Sequence, residues 1–292
     1  MLMLQEGYMK TTSLNVTGKL PQGLEELYRM INTHTKALNI PYLVVGATAR
    51  DIILHHGFGA NIERGTRDVD FGIQVQSWGQ FEQLKANMLK GGFTPHKDKV
   101  HQLVTTVPNG EEWEIDIIPF GNICGENQTL VWPPEQAFEM TVMGFNEAFY
   151  NALVVTIADN PLLEIKIASP AGMLILKLVS WLERDHNIRV KDARDIYYLS
   201  KHYSKIPEIY DALYDDGFME SQDFDEHNAS TMKLARDAVD IADKKTLSFI
   251  NNQLFNQEDK VDNLVLEISR STNISYEESY SFIKIIHNTL NV

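Results

Sequence analysis

The sequence predicts an α+β fold, with a strand-bearing N-terminal half followed by an all-helical C-terminal half. Three observations predict it. Segments of strand and helix character alternate up to residue 168. Ser169-Pro170 then supplies a helix cap and a first-turn proline. Beyond that point only helical spacing recurs. The expected division is therefore 1–168 and 169–292.

Leu20, Leu24, Leu27, Tyr28, Ile31 and Leu38 recur at helical spacing and predict an amphipathic helix over 22–38. Pro41 and Gly46 bound a short apolar run, 41–45, expected as a buried strand. Residues 46–56 read as a turn into a helix. Residues 57–66 hold three glycines without periodicity, hence a flexible loop. In 68–75, Val69, Phe71, Ile73 and Val75 alternate with Asp68, Asp70, Gly72 and Gln74, which predicts a strand. A helix over 77–92 is capped by Ser77 and ended by Gly91. Segments 101–107 and 111–120 flank Pro108-Asn109-Gly110, a hairpin signal. A second hairpin joins 152–158 to 162–168. Helices are expected over about 170–185, 190–203, 206–214, 229–254, 259–271 and 275–289.

The composition narrows the function classes. The chain of 292 residues, 43% hydrophobic and 10% aromatic, can bury a sizeable core. A single cysteine, Cys124, excludes an intrachain disulfide framework. The net charge of −14 argues against nonspecific nucleic-acid binding through an overall basic surface, although a local basic patch could hold a nucleotide or an RNA end. The acidic run at 210–227 reads as a solvated loop or helix face. No apolar run approaches the roughly 20 residues of a membrane helix, and the opening residues lack a signal-peptide core. The expected location is the cytoplasm, without a membrane partner.

Three features carry chemistry. Gly46-Ala47-Thr48 lies where a buried strand meets a helix, so backbone can approach a phosphate and the helix start offers N–H groups. Asp68 and Asp70, two apart on a strand, project from one face. Adjacent carboxylates repel unless a cation lies between them, and Mg²⁺ suits such oxygen ligands. Asp116 alternates with Ile115 and Ile117, and it joins the other two acids if its strand lies beside 68–75. Glu114 reads as a spectator. Three convergent carboxylates could hold two Mg²⁺ ions. Lys177 sits among Met173, Leu174, Ser180 and Trp181 on a mostly apolar helix face, so it should reach a buried acid or a bound phosphate, unless it snorkels at a helix edge. Asp192 and Asp195 could equally form surface pairs with Lys191 and Arg194. Arg50, Arg67 and Arg64 could face phosphates. His55-His56 reads as a helix C-terminal cap, and His96 and His101 show no partner pattern.

The order of LVVGATARDIIL, TRDVDFGIQV and WEIDIIPFG, over about residues 40–120, resembles the DNA polymerase β-like nucleotidyltransferase superfamily. The helical Lys177 and the later K-D-x-x-D-I-Y-Y-L segment resemble the AbiEii-type members, which include type IV abortive-infection toxins. The resemblance implies a small mixed sheet backed by helices. It implies that Gly46, Ala47 and Thr48 meet a nucleoside triphosphate and that Asp68, Asp70 and Asp116 bind two Mg²⁺ ions, with Mn²⁺ as an alternative. It also implies that Lys177 contacts phosphates and that Asp192, or Asp195 in its place, acts near the centre as a base or an orienting acid. A nucleotidyl group would pass to an RNA end, a protein or a small molecule. Where the family usually has glycine or serine, this chain has Ala47, which cannot donate a side-chain hydrogen bond; Thr48 is the substitute donor. Ala47 favours a noncatalytic nucleotide sensor as an alternative, and the acidic segment favours a module that binds an antitoxin.

Overall fold

The computed structural model describes residues 14–62, 68–125, 128–133 and 139–291. The N-terminal half runs β1 (Leu14–Asn15), α1 (Gln22–Ala37), β2 (Tyr42–Val45), α2 (Gly46–Arg50, continuing as a π-helix, Asp51–Gly57), β3 (Asp68–Val75), α3 (Trp78–Lys90), β4 (Thr94–Pro95), β5 (Gln102–Thr106) and β6 (Glu112–Gly121). There follow β7 (Thr129–Val131), β8 (Glu139–Thr141), α4 (Phe145–Tyr150), β9 (Leu153–Asp159) and β10 (Leu162–Ile167). The helical half is α5 (Pro170–Glu183), α6 (His186–His202), α7 (Pro207–Asp215), α8 (Phe218–Ser221), α9 (Glu226–Ile241), α10 (Lys244–Ile250), α11 (Glu258–Thr272) and α12 (Tyr276–Leu290).

One mixed sheet organises the first half, in the order β1-β9-β10-β2-β3-β6-β5-β4. Both expected hairpins form: β5 pairs antiparallel with β6, and β9 with β10. The decisive pairing is nonlocal. β3 and β6 run parallel over eight residue pairs, from Asp68↔Glu114 to Val75↔Gly121. Alternation makes this register pay off, because Val69, Phe71, Ile73 and Val75 are fully buried while Asp68 and Asp70 face the other way. β7 and β8 form a separate two-stranded sheet.

Local signals place several boundaries. Ser77 accepts from Gln80 N at the start of α3, which ends at Gly91. Ser169 accepts from Gly172 N, and Pro170 occupies the first turn of α5. Elsewhere the structure corrects the expectation. The single helix expected over 229–254 is two, because Ala242 is extended (ψ 141°) and Asp243 caps a new start by accepting from Lys245 N. α6 begins four residues before the expected 190. The short α4, β1, β4, β7, β8 and α8 had no periodic signal. The acidic run forms α7, α8 and the start of α9, with Asp211, Asp215 and Glu220 exposed.

The main core is continuous across residue 168, from Val16 to Leu290, with a small satellite of Leu213, Met219 and Ala229. Gly144, with φ +88°, lets α4 lie against α5, since a Cβ there would meet Ile175 Cγ2 at 2.8 Å. Among the described residues no helix is long and apolar enough to cross a membrane.

Candidate active site

Four adjacent strands carry one transverse row of side chains. Val45 on β2 pairs with Asp70 on β3, Asp70 with Asp116 on β6, and Asp116 with Gln102 on β5. Strands lie about 4.8 Å apart, so in-register carboxylates on neighbouring strands crowd each other. Burial, and then the charge of Asp116, push the Asp70 carboxyl up to about 6; Lys177 and Arg184 pull it back, and Asp68 adds to the rise. The Asp116 carboxylate accepts a 2.8 Å hydrogen bond from Gln102 Nε2.

The glycine turn is fitted to the same acid. Gly46 opens α2 with φ +75°, a left-handed conformation suited to glycine, and a Cβ there would overlap Asp70 Oδ2. Among the described residues no side chain caps the start of α2, a condition that leaves first-turn N–H groups for an anion. Ala47 and Thr48 follow, both buried. The Thr48 hydroxyl, expected as a phosphate donor, donates here to the Asp68 carbonyl at 3.0 Å and ties α2 to the start of β3.

Behind the row lies an ion-pair cluster joining α2, α5 and α6, buried except at Arg184. Lys177 Nζ lies 3.0 Å from Asp192 Oδ1 and 2.6 Å from Asp195 Oδ2. Arg184 Nη1 lies 2.9 Å from Asp192 Oδ2. Arg50 pairs with Asp51 at 2.8 Å and with Asp195, and its guanidinium lies over the Tyr198 ring at 4.4 Å. The Tyr198 hydroxyl donates to Asn61 O, fastening the loop after the π-helix. Asp192 and Asp195 are one helical turn apart and share a face of α6. Asp192 is 0% exposed, which overturns the alternative of surface pairing with Lys191 and Arg194. Burial opposes the charge on Lys177 and Arg184, yet the neighbouring acids win and raise both. Arg184 also feels Asp70 and Asp116, so it and Lys177 are the cations that link the cluster to the row.

Gly46, Ala47, Asp68, Asp70 and Asp116 lie together, with Lys177 and Asp192 beside them. Of the alternatives left open for Lys177, the structure shows the buried acids. Arg50, expected to face phosphates, is 3% exposed, with its guanidinium paired to Asp51 and Asp195. Arg64 and Arg67 lie outside the described residues, as does part of the glycine loop. His55 ends its helix with Nδ1 2.5 Å from Ala60 O. Glu114 is exposed, as a spectator would be.

Three residues of the site were missed. Arg184 lies seven positions after Lys177, two helical turns along the same face, a spacing that could have found it. Gln102 pairs with Asp116 only through the hairpin register. His101, beside it, feels the Asp116 charge, although burial lowers its pKa.

Asp70 and Asp116 could hold a hard divalent cation. Among the described residues no group of three or more His, Cys, Asp or Glu is placed to hold a metal ion; Mg²⁺ needs only one or two carboxylates, with water and substrate phosphates completing the shell.

A mixed sheet with a glycine turn wedged against the first of two in-register aspartates is the arrangement that the resemblance to the nucleotidyltransferase superfamily implies. The family model for "Nucleotidyl transferase AbiEii toxin, Type IV TA system" matches residues 30–266. The chain belongs to this family, and it is a nucleotidyltransferase. No curated protein matches the sequence. Several solved structures are similar, three of them as follows. An antigenic nucleotidyltransferase-like protein from Paracoccidioides brasiliensis is 17% identical, with 71% of this chain and 93% of that chain covered and a TM-score of 0.42. The antibiotic-resistance factor ANT(2'')-Ia is 12% identical, with 68% and 98% covered and a TM-score of 0.35. The Thermotoga maritima CCA-adding enzyme, complexed with tRNA, is 12% identical, with 93% and 80% covered and a TM-score of 0.26.

Proposed function

We propose that this nucleotidyltransferase is Mg²⁺-dependent and moves a nucleotidyl group from a nucleoside triphosphate to an acceptor hydroxyl. The acceptor belongs to an RNA end, a protein or a small molecule. The observation that carries the reading is the in-register pair Asp70↔Asp116 with Gly46 seated against Asp70. Two acids held this close are costly when ionised, and a bound cation offsets that cost.

In this reading Asp70 and Asp116, with Asp68, would hold two ions, with Mn²⁺ as an alternative to Mg²⁺. Bound there, the ions would neutralise phosphate charge and lower the pKa of the attacking hydroxyl. The backbone of Gly46 and Ala47 lies against the triphosphate. The acceptor oxygen would bond to the α-phosphorus as the bond to the leaving pyrophosphate breaks, and the acceptor hydroxyl's proton would pass to water. Lys177 and Arg184 supply positive field toward the row. Asp192 positions those two cations, an orienting role in preference to a base, because both of its oxygens are engaged. The family description motivates an antitoxin as the protein partner.

The test is incubation with Mg²⁺ and each labelled triphosphate in turn, against total RNA and against the protein itself. Labelled product that requires the metal and vanishes in Asp70→Asn supports the reading. Product formed equally by Asp70→Asn rejects it.

A further inference from the structure

We infer that Gln102 is a positioning residue that fixes the Asp116 carboxylate for a divalent cation. The inference rests on the metal-dependent reading above and adds to it a residue outside the carboxylates. Gln102 lies on β5 directly opposite Asp116 and is 2% exposed. Its Nε2 donates to Asp116 Oδ1 at 2.8 Å. Its Oε1 is buried and meets no hydrogen-bond partner among the described residues.

That combination is informative. A buried carbonyl oxygen without a donor is destabilising, and an apolar side chain of similar volume would avoid it. Turning the amide over would set Oε1 against an acceptor-only carboxylate, so the amide is locked one way. The stabilising half of the side chain is therefore its bond to Asp116. A carboxylate with one oxygen so held no longer swings about its terminal torsion. Its second oxygen is left for the side of the strand where Asp70 stands. Partners of this kind, one step behind a metal ligand, set the ligand's orientation.

Mn²⁺ alone is titrated into the wild-type chain, Gln102→Leu, Gln102→Met and Asp70→Asn. Free ion is read by electron paramagnetic resonance, and the metal-free samples are melted. Both apolar variants should bind Mn²⁺ about 10- to 100-fold more weakly than the wild type, while melting no lower. Apolar variants that bind as tightly as the wild type, while Asp70→Asn loses the ion, overturn the inference and leave the metal-dependent reading standing. Affinity and melting temperature falling together in both also overturn it, because the role is then structural. Undiminished binding by Asp70→Asn overturns the reading and the inference together.

Discussion

The same few residue types produce two opposite environments within one site. In the cluster behind the row, Asp192 and Asp195 are more deeply buried than Asp116, yet each touches cations at salt-bridge distance. In the row, Asp70 touches another acid's field first, and Lys177 and Arg184 act on it only from the neighbouring cluster. The first arrangement is complete in the protein alone. The second is incomplete, and its carboxyl is pushed up to about 6 as a result. Burial by itself therefore does not mark a working acid. What marks it is burial without enough opposite charge to offset it, which leaves the balance to be supplied by a ligand.

The sharpest way to break this comparison is to neutralise one acid in each region. Asp70→Asn should reduce nucleotidyl transfer by on the order of 10³-fold or more, since a charge-stabilising group at the reacting centre is lost. The metal-free protein should meanwhile melt no lower than the wild type. Asp195→Ala should do the reverse first: it removes one of the two acid partners of both Arg50 and Lys177 in a buried setting and should cost on the order of 3 kcal/mol of stability. Denaturant titration and single-turnover transfer measured on both variants separate the two regions. Equal destabilisation by both changes would erase the distinction.

How much of this was legible follows from the range of each interaction. The Asp68-Val69-Asp70 alternation declared its own face, because strand period is local. The meeting of Asp116 with Asp70 was legible only as a condition, since a parallel pairing across the intervening α3 is nonlocal. Lys177 on an apolar helix required an acid partner, and the sequence offered Asp192 and Asp195, though it equally allowed them a surface role. The inward contacts of Arg50 and Thr48 were hidden for a different reason. Both are polar groups beside a phosphate-type turn, and only the packing of α2 on β3 and α6 turns them inward. Ala242-Asp243 was read through as helix because alanine favours helix, while the capping aspartate decided otherwise.

Acid titration of the metal-free protein sharpens the contrast next. A carboxyl whose folded-state pKa is raised binds a proton more tightly in the folded state. Its favourable contribution is full below the unfolded value, 3.8, and is lost as pH rises through about 6. Stability should therefore fall between about pH 4 and pH 6 by no more than about 3 kcal/mol, reduced by whatever solvent screens the group. Asp70→Asn should flatten that part of the profile, and saturating Mn²⁺ should restore stability at neutral pH. A profile unchanged by Asp70→Asn would show that the row is not the strained element. Transfer activity should decline below about pH 6, as protons displace the cation.

The smallest effect concerns Thr48, where two roles make different demands on one hydroxyl. As a tie between α2 and the carbonyl of Asp68 at 3.0 Å, it contributes through the fold. Thr48→Val keeps the volume and removes the donor, so it should cost about 1 kcal/mol of stability, and Thr48→Ser should retain most of it. The Michaelis constant for the triphosphate should then move little, because the hydroxyl is already spent inside the protein. Had it donated to a phosphate, losing a charge-assisted bond worth about 1.5–3 kcal/mol would raise that constant by roughly tenfold or more. Steady-state kinetics beside thermal melts decide between them. A large rise in the constant at unchanged stability would move Thr48 from the scaffold to the substrate.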